Sequence, residues 1–159
     1  MILVTVGAQM PFDRLVKGVD AWAEARGRDD VLAQVGPDSW KPSRARWVEF
    51  LAPEEFKKAV QEADVVVAHA GMGSILTALE LGKPILVMPR RGDLRETRND
   101  HQVATAERFL EQGRVAVAFD ENELAEKLDA LGTLKGGERI GSRASEGLLK
   151  AVRAFIDGR

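Results

Sequence analysis

Val65-Val66-Val67-Ala68-His69-Ala70-Gly71-Met72-Gly73-Ser74 is the stretch that decides the fold of this chain. Its first four residues are an unbroken apolar run rich in β-branched side chains, the pattern of a strand buried on both faces. His69 to Ser74 is a glycine-rich turn, and the apolar residues beyond it recur at helical spacing to about Leu81. A strand that ends in such a turn and opens a helix is an anion-binding arrangement. Glycines let the backbone approach an anion closely, the first N–H groups of the helix have no partner within it, and the helix dipole adds partial positive charge there.

Outward from this unit, strand and helix signals alternate. Residues 2–6 form an apolar first strand, and Pro11 begins a helix over about 11–26, with Phe12, Leu15, Val16, Val19 and Trp22 at helical spacing. Residues 31–35 read as a second strand and 46–51 as a third. Pro53 opens a helix to about Glu62, and residues 64–68 form the fourth strand. Gly82-Lys83-Pro84 stops the next helix, 85–88 is the fifth strand, and a charged loop leads to a helix at about 99–112. Residues 115–118 form a sixth strand, and Asp120 caps a helix over about 121–130. A glycine-rich turn at 132–141 and a closing helix at about 143–157 complete the chain. Alternation of this kind predicts a single α/β, Rossmann-like domain over 1–159, with a core over about 1–130 and a parallel sheet of about six strands flanked by helices. In such sheets ligands bind at the carboxyl ends of the strands.

Composition narrows the function. The chain has 159 residues, a formal net charge of −2, no cysteine and two histidines. No basic excess points to nucleic acid, and thiolate catalysis and disulfides are excluded. Histidines at unrelated spacing argue against a zinc site, and no DxD carboxylate pair stands ready to hold a cation against a diphosphate. The N-terminal run is too short for a signal peptide, and no apolar stretch approaches the roughly 20 residues of a membrane helix. The expectation is a cytoplasmic protein whose membrane role needs a partner.

Three polar clusters fall at the carboxyl edge. Gly7-Ala8-Gln9 follows the first strand; its amides either face a diphosphate or form a plain tight turn. Gly71, Gly73 and Ser74 are read as backbone and hydroxyl contacts to phosphate, because two glycines straddling one residue exceed what an N-cap needs. His69 has two readings, a residue that polarises a phosphate or holds the loop, and a satisfied histidine at a strand end. Thr77, one turn beyond Ser74, either touches a ribose hydroxyl or is a surface threonine, and Glu80 reads as solvated. Arg90, Arg91, Arg95 and Arg98 cluster after the fifth strand. Such a run is ordinarily a solvated face, but at the ligand edge one or two of them, Arg90 first, are candidates to neutralise leaving-group charge or anionic lipid heads. Asn99, Asp100, His101 and Gln102 supply the mixed donors and acceptors that sugar hydroxyls require; a helix cap accounts for Asn99 or Asp100 and leaves His101 and Gln102 free. Phe50 and Leu51 either wall a flat base or are core. Asp13, just after the first loop, is the candidate general base, with a base supplied by the partner as the alternative. Trp22 reads as core, and the role of Trp40 stays open.

At these residues the chain resembles the carboxy-terminal, nucleotide-sugar-binding half of a family 28 glycosyltransferase of the GT-B fold. The matching segments are VTVGAQMPFDRLV at 4–16, WVEFL at 47–51, ADVVVAHAGMGSILTALELGKPILVMPRR at 63–91 and NDHQVATAERFLEQG at 99–113. It is most similar to short stand-alone versions of that half, found in the eukaryotic dolichol-linked N-acetylglucosaminyltransferase and in bacterial two-chain exopolysaccharide glycosyltransferases. The resemblance implies that Gly7, Ala8 and Gln9 sit near the diphosphate and that Phe50 and Leu51 border the uracil. It further implies that Gly71, Gly73 and Ser74 bind phosphate and that His101 and Gln102 contact the transferred sugar. Many relatives carry an acidic ribose-binding residue where this chain has Thr77, so ribose contact passes to Thr77 or Glu80, or is weaker.

The same resemblance implies a UDP-sugar donor, inversion at the anomeric carbon without a bound metal or other cofactor, and a lipid-diphosphate-linked acceptor. It also implies a separate, membrane-associated acceptor-binding subunit that recruits the chain to the cytosolic membrane face as a heterodimer. An open cleft at one sheet edge agrees, since transfer competes with hydrolysis until a second domain excludes water. The rival reading is a non-catalytic interaction module that keeps the half-fold. A nicotinamide-dependent Rossmann enzyme is disfavoured: the first loop lacks GxGxxG, and Gly36-Pro37 stands where an acidic residue would follow the second strand.

Overall fold

The computed structural model describes residues 1–7, 10–97, 101–113 and 115–131. The expected alternation is realised. Strands β1 (Ile2–Thr5), β2 (Val31–Gln34), β3 (Arg46–Val48), β4 (Val65–His69), β5 (Ile85–Met88) and β6 (Ala116–Val117) form one sheet in the order β3-β2-β1-β4-β5-β6. Every neighbouring pair is parallel. Helices α1 (Asp13–Arg26), α2 (Pro53–Glu62), α3 (Met72–Glu80), α4 (His101–Glu111) and α5 (Glu121–Asp129) connect or follow the strands. The glycine-rich turn and closing helix expected beyond residue 131 lie outside the described residues.

Alternate strand residues supply two separate cores. Ile2, Val4, Val67, Leu86 and Met88 pack on one face with Leu15, Val16 and Val19 of α1 and Leu124 and Leu128 of α5. Leu3, Val66, Ala68, Ile85 and Val87 pack on the other with Val60 of α2, Ile75 and Leu79 of α3, and Ala106 and Phe109 of α4. The apolar runs are therefore continuous because both faces of each central strand are covered. On the first face α1 and α5 approach closely enough that a Cβ on Gly18 would meet Leu124 Cδ2 at 2.7 Å. Trp22 is core, as expected, with its Nε1–H donated to Asp129 Oδ1 at 2.9 Å.

Two boundaries move for physical reasons. The helix after β1 begins at Asp13 rather than Pro11, since the carbonyls of Met10 and Pro11 bond the Arg90 guanidinium at 2.9 and 2.7 Å. The third strand ends at Val48 rather than Leu51: it is an edge strand, and Phe50 stands exposed beyond it. Asp120 caps α5 as expected, accepting from Glu123 N–H at 2.8 Å.

The path into β3 is fixed by one buried carboxylate. Asp20 of α1 accepts from the N–H groups of Ser43, Arg44 and Ala45 at 3.1, 2.9 and 2.9 Å, and from Ser43 Oγ at 3.3 Å. It is 6% exposed. Asp20→Asn replaces an acceptor oxygen by a donor NH2 that faces N–H groups. Urea unfolding is expected to show a loss of about 2 kcal/mol; an unchanged midpoint would show that this anchor is dispensable.

Candidate functional site

The strand order reverses direction between β1 and β4, which makes the crevice outside their carboxyl ends the expected ligand position. A cavity of about 810 Å³ opens there, bordered by the ends of β1 and β4, the first turns of α3 and the segment after β3. This is the size range of a small-molecule or cofactor site.

Helix α3 points its N-terminus into this cavity. Gly71 is the N-cap and makes no side-chain capping bond; Ile75 N–H is the first to bond within the helix, to Gly71 O at 3.1 Å. The Met72, Gly73 and Ser74 N–H groups find no partner among the described residues. Ser74 is therefore not the cap of α3. It sits within the first turn, buried, and lines the cavity with Gly71 and Gly73. A Cβ on Gly73 would meet nothing within 4 Å, so the space before it is empty. Thr77 also lines the cavity, with its hydroxyl donated to Gly73 O at 2.8 Å.

Between the loops after β1 and β4 lies His69. A Cβ on Gly7 would stand 2.7 Å from His69 Nε2, and one on Gly71 2.6 Å from it, so both glycines are required by the ring itself. Gly7 also has φ +83°, a conformation that L side chains rarely adopt. Gln102 Nε2 lies 3.1 Å from His69 Nδ1, and Gln102 Oε1 accepts from Arg90 N–H at 3.1 Å. Burial, and then the positive charge of Arg90, push the His69 imidazole down to about 4. The ring is neutral at physiological pH.

Arg90 is 3% exposed and its guanidinium is committed to the backbone. Nη2 donates to Val6 O at 2.6 Å and Met10 O at 2.9 Å, Nη1 donates to Pro11 O at 2.7 Å, and the cation lies 4.8 Å from the centroid of the Phe12 ring. Arg14 and Glu96 brace the same corner with paired Nε–Oε2 and Nη2–Oε1 contacts of 2.9 Å, while Glu96 Oε1 also accepts from Arg91 N–H at 3.0 Å. The residue expected to neutralise a leaving group lines the cavity and also clamps the β1–α1 loop into its shape. Of the other arginines, Arg91 pairs with Asp93 at 2.6 Å, Arg95 adopts φ +58°, and Arg98 lies outside the described residues.

The cavity gathers Gly7, Phe50, Leu51, His69, Gly71, Gly73, Ser74, Thr77, Arg90 and Gln102. Glu80, read as solvated, is exposed but also borders it. Two expected residues are elsewhere. Asp13 does not line the cavity, and its carboxylate accepts from Trp40 N–H at 3.0 Å; His101 is exposed at the start of α4 and does not line it either. Ala8, Gln9, Asn99 and Asp100 lie outside the described residues. Gln102, expected to be free for a sugar, has both ends of its amide engaged.

Sequence reasoning missed Gln34. It is 4% exposed, accepts Thr5 Oγ1–H at 2.8 Å and Val6 N–H at 3.3 Å, and donates to Gly7 O at 3.0 Å and Glu49 O at 2.9 Å. It thereby ties the loop after β1 to the segment that carries Phe50. The signal was present: one amide side chain in the otherwise apolar run Val31-Leu32-Ala33-Gln34-Val35.

Comparison with known proteins agrees with this fold. A mouse protein named UDP-N-acetylglucosamine transferase subunit ALG13 is 33% identical over 122 residues, covering 70% of this chain and 10% of the mouse protein. This chain therefore spans about a tenth of that relative. A solution structure of ALG13 superposes with a TM-score of 0.64 at 23% identity, covering 93% of this chain and 94% of the other. The kitacinnamycin glycotransferase superposes with a TM-score of 0.63 at 21% identity, covering 96% of this chain and 39% of the other. These superpositions carry the fold, which is the Rossmann-like half seen in GT-B glycosyltransferases. The model of the glycosyltransferase family 28 C-terminal domain matches residues 1–135, and the chain belongs to that family.

Proposed function

We propose that this chain binds the UDP-sugar donor of a bipartite glycosyltransferase and, with an acceptor-binding partner at the cytosolic membrane face, transfers the sugar to a lipid-diphosphate-linked acceptor. The donor sugar is N-acetylglucosamine or glucuronate. The observation that carries this reading is the uncapped N-terminus of α3 opening onto the cavity at the strand-order switch point. In support, relatives named as subunits of a UDP-N-acetylglucosamine transferase align with 70% and 72% of this chain at 33% and 29% identity.

The chemistry follows from charge. Displacement of UDP at the anomeric carbon builds negative charge on the departing diphosphate, and the reaction inverts that carbon. The N–H groups of Met72, Gly73 and Ser74, the dipole of α3 and the neutral His69 ring are fixed dipoles facing that charge, so no reorganisation is needed as it develops. Arg90 contributes by holding the loop, since both its Nη atoms donate to carbonyls. Phe50, 62% exposed, offers its face to the uracil. With Asp13 turned to Trp40, the base that activates the acceptor hydroxyl comes from the partner. The reading needs no metal. Among the described residues no helix is long and apolar enough to cross a membrane; in this reading the partner supplies membrane attachment.

Calorimetry with UDP in the presence of EDTA tests this. The expected dissociation constant is tighter than about 1 mM. Phe50→Ala is expected to weaken it about tenfold through lost stacking. Absence of heat at millimolar UDP, with and without the acceptor-binding partner, would remove the proposal.

A further inference from the structure

The amide of Gln102 cannot choose its orientation. Arg90 N–H only donates, so the atom facing it at 3.1 Å is the carbonyl oxygen of Gln102. The other end, NH2, then faces His69 Nδ1 at 3.1 Å. An NH2 only donates, so Nδ1 must be the acceptor and the ring hydrogen resides on Nε2. Nε2 is on the edge that meets Gly7 and Gly71, and it has no partner among the described residues. A main-chain N–H at the end of β5 thus dictates, through one side-chain amide, which nitrogen of a histidine at the end of β4 is a donor.

We propose that Gln102 is a positioning residue: it holds His69 in the Nε2–H tautomer, making the imidazole a fixed hydrogen-bond donor toward the phosphates of a nucleotide held between the two glycine loops. The inference rests on the nucleotide-binding reading for its ligand but not for its tautomer. It also changes the role expected of Gln102, whose amide is engaged with protein rather than free for a sugar hydroxyl. The charged side chains that share the cavity with the ring are Arg90 after β5, Lys57 of α2 and Glu80 of α3; the described part of the β1 loop there, Gly7 and Met10, carries no charge.

Nitrogen-15 NMR of the imidazoles reads the tautomer directly. The chain has two histidines, and His101→Gln leaves a single one to observe. In the wild-type protein Nδ1 of His69 is expected to resonate as an unprotonated nitrogen and Nε2 as a protonated one. Gln102→Glu keeps an acceptor for Arg90 N–H but turns an acceptor toward Nδ1. The expected result is transfer of the proton to Nδ1, an upward move of the His69 titration, and about tenfold weaker UDP binding from loss of one donor. Gln102→Met, which fills the space without an amide, is expected to give a mixture of both tautomers. A wild-type proton on Nδ1, or an unchanged tautomer in folded Gln102→Glu, overturns the proposal. The wild-type spectrum needs no variant to fold. If it shows Nε2–H while UDP does not bind, the positioning stands and the nucleotide reading falls.

Discussion

Arg90→Ala is expected to destabilise the protein by about 3 kcal/mol or more and to remove UDP binding with it. Three carbonyls of the β1–α1 loop, those of Val6, Met10 and Pro11, lose charge-assisted partners at 2.6 to 2.9 Å. The Phe12 ring loses the cation 4.8 Å from its centroid. The loop that supplies Gly7 to the cavity then loses this clamp, and the bond from Gln34 Nε2 to Gly7 O at 3.0 Å holds only its first residue. Arg90→Lys is not a rescue, since one ammonium cannot reproduce a planar fork aimed at several oxygens. Thermal melting and UDP calorimetry on both variants measure the two effects. A melt within about 0.5 kcal/mol of the wild-type protein would deny Arg90 this clamping role.

Gly73→Trp is expected to separate folding from binding. The position faces open space, so no protein atom stands where the new side chain begins. It lies in the first turn of α3 without positive φ, and an L residue there is at least as good a helix former as glycine. The indole then occupies the volume in front of the uncapped N–H groups. The melting temperature is expected to stay close to that of the wild type, while UDP affinity falls at least about a hundredfold, or 2.7 kcal/mol. Undiminished UDP binding by this variant would move the ligand away from the α3 N-terminus. Retained partner binding with no nucleotide affinity in the wild-type protein would instead favour the interaction-module reading.

The sequence disclosed what depends on neighbours along the chain. Strand 85–88 and helix 53–62 stand as expected, because a four-residue apolar run between breakers and a proline-led amphipathic segment each admit one solution. The HAGMGS turn disclosed its glycines for the same reason. Long-range partners were hidden. Arg90 reads as one basic residue among four until the carbonyl of Val6, 84 positions earlier, is brought to it. Gln102 reads as a free polar residue until His69, 33 positions away, accepts from it. Asp13 and His101 have the right chemistry and stand near the right loops, but the first turns of α1 and α4 aim them elsewhere. Side-chain direction is set by helix phase relative to the sheet, and local pattern does not fix that phase.

One face of the sheet has an unusual timetable. Its first covering helix, α1, is made early, but the helix that seals it, α5, comes more than a hundred positions later; the Trp22–Asp129 bond alone spans 107. During synthesis the apolar side of α1 emerges long before Leu124 and Leu128 exist to cover it. The opposite face can assemble progressively from α2, α3 and α4 as each leaves the ribosome. This face must wait for Leu124 and Leu128, so the nascent chain carries an unsealed hydrophobic seam until α5 has been made.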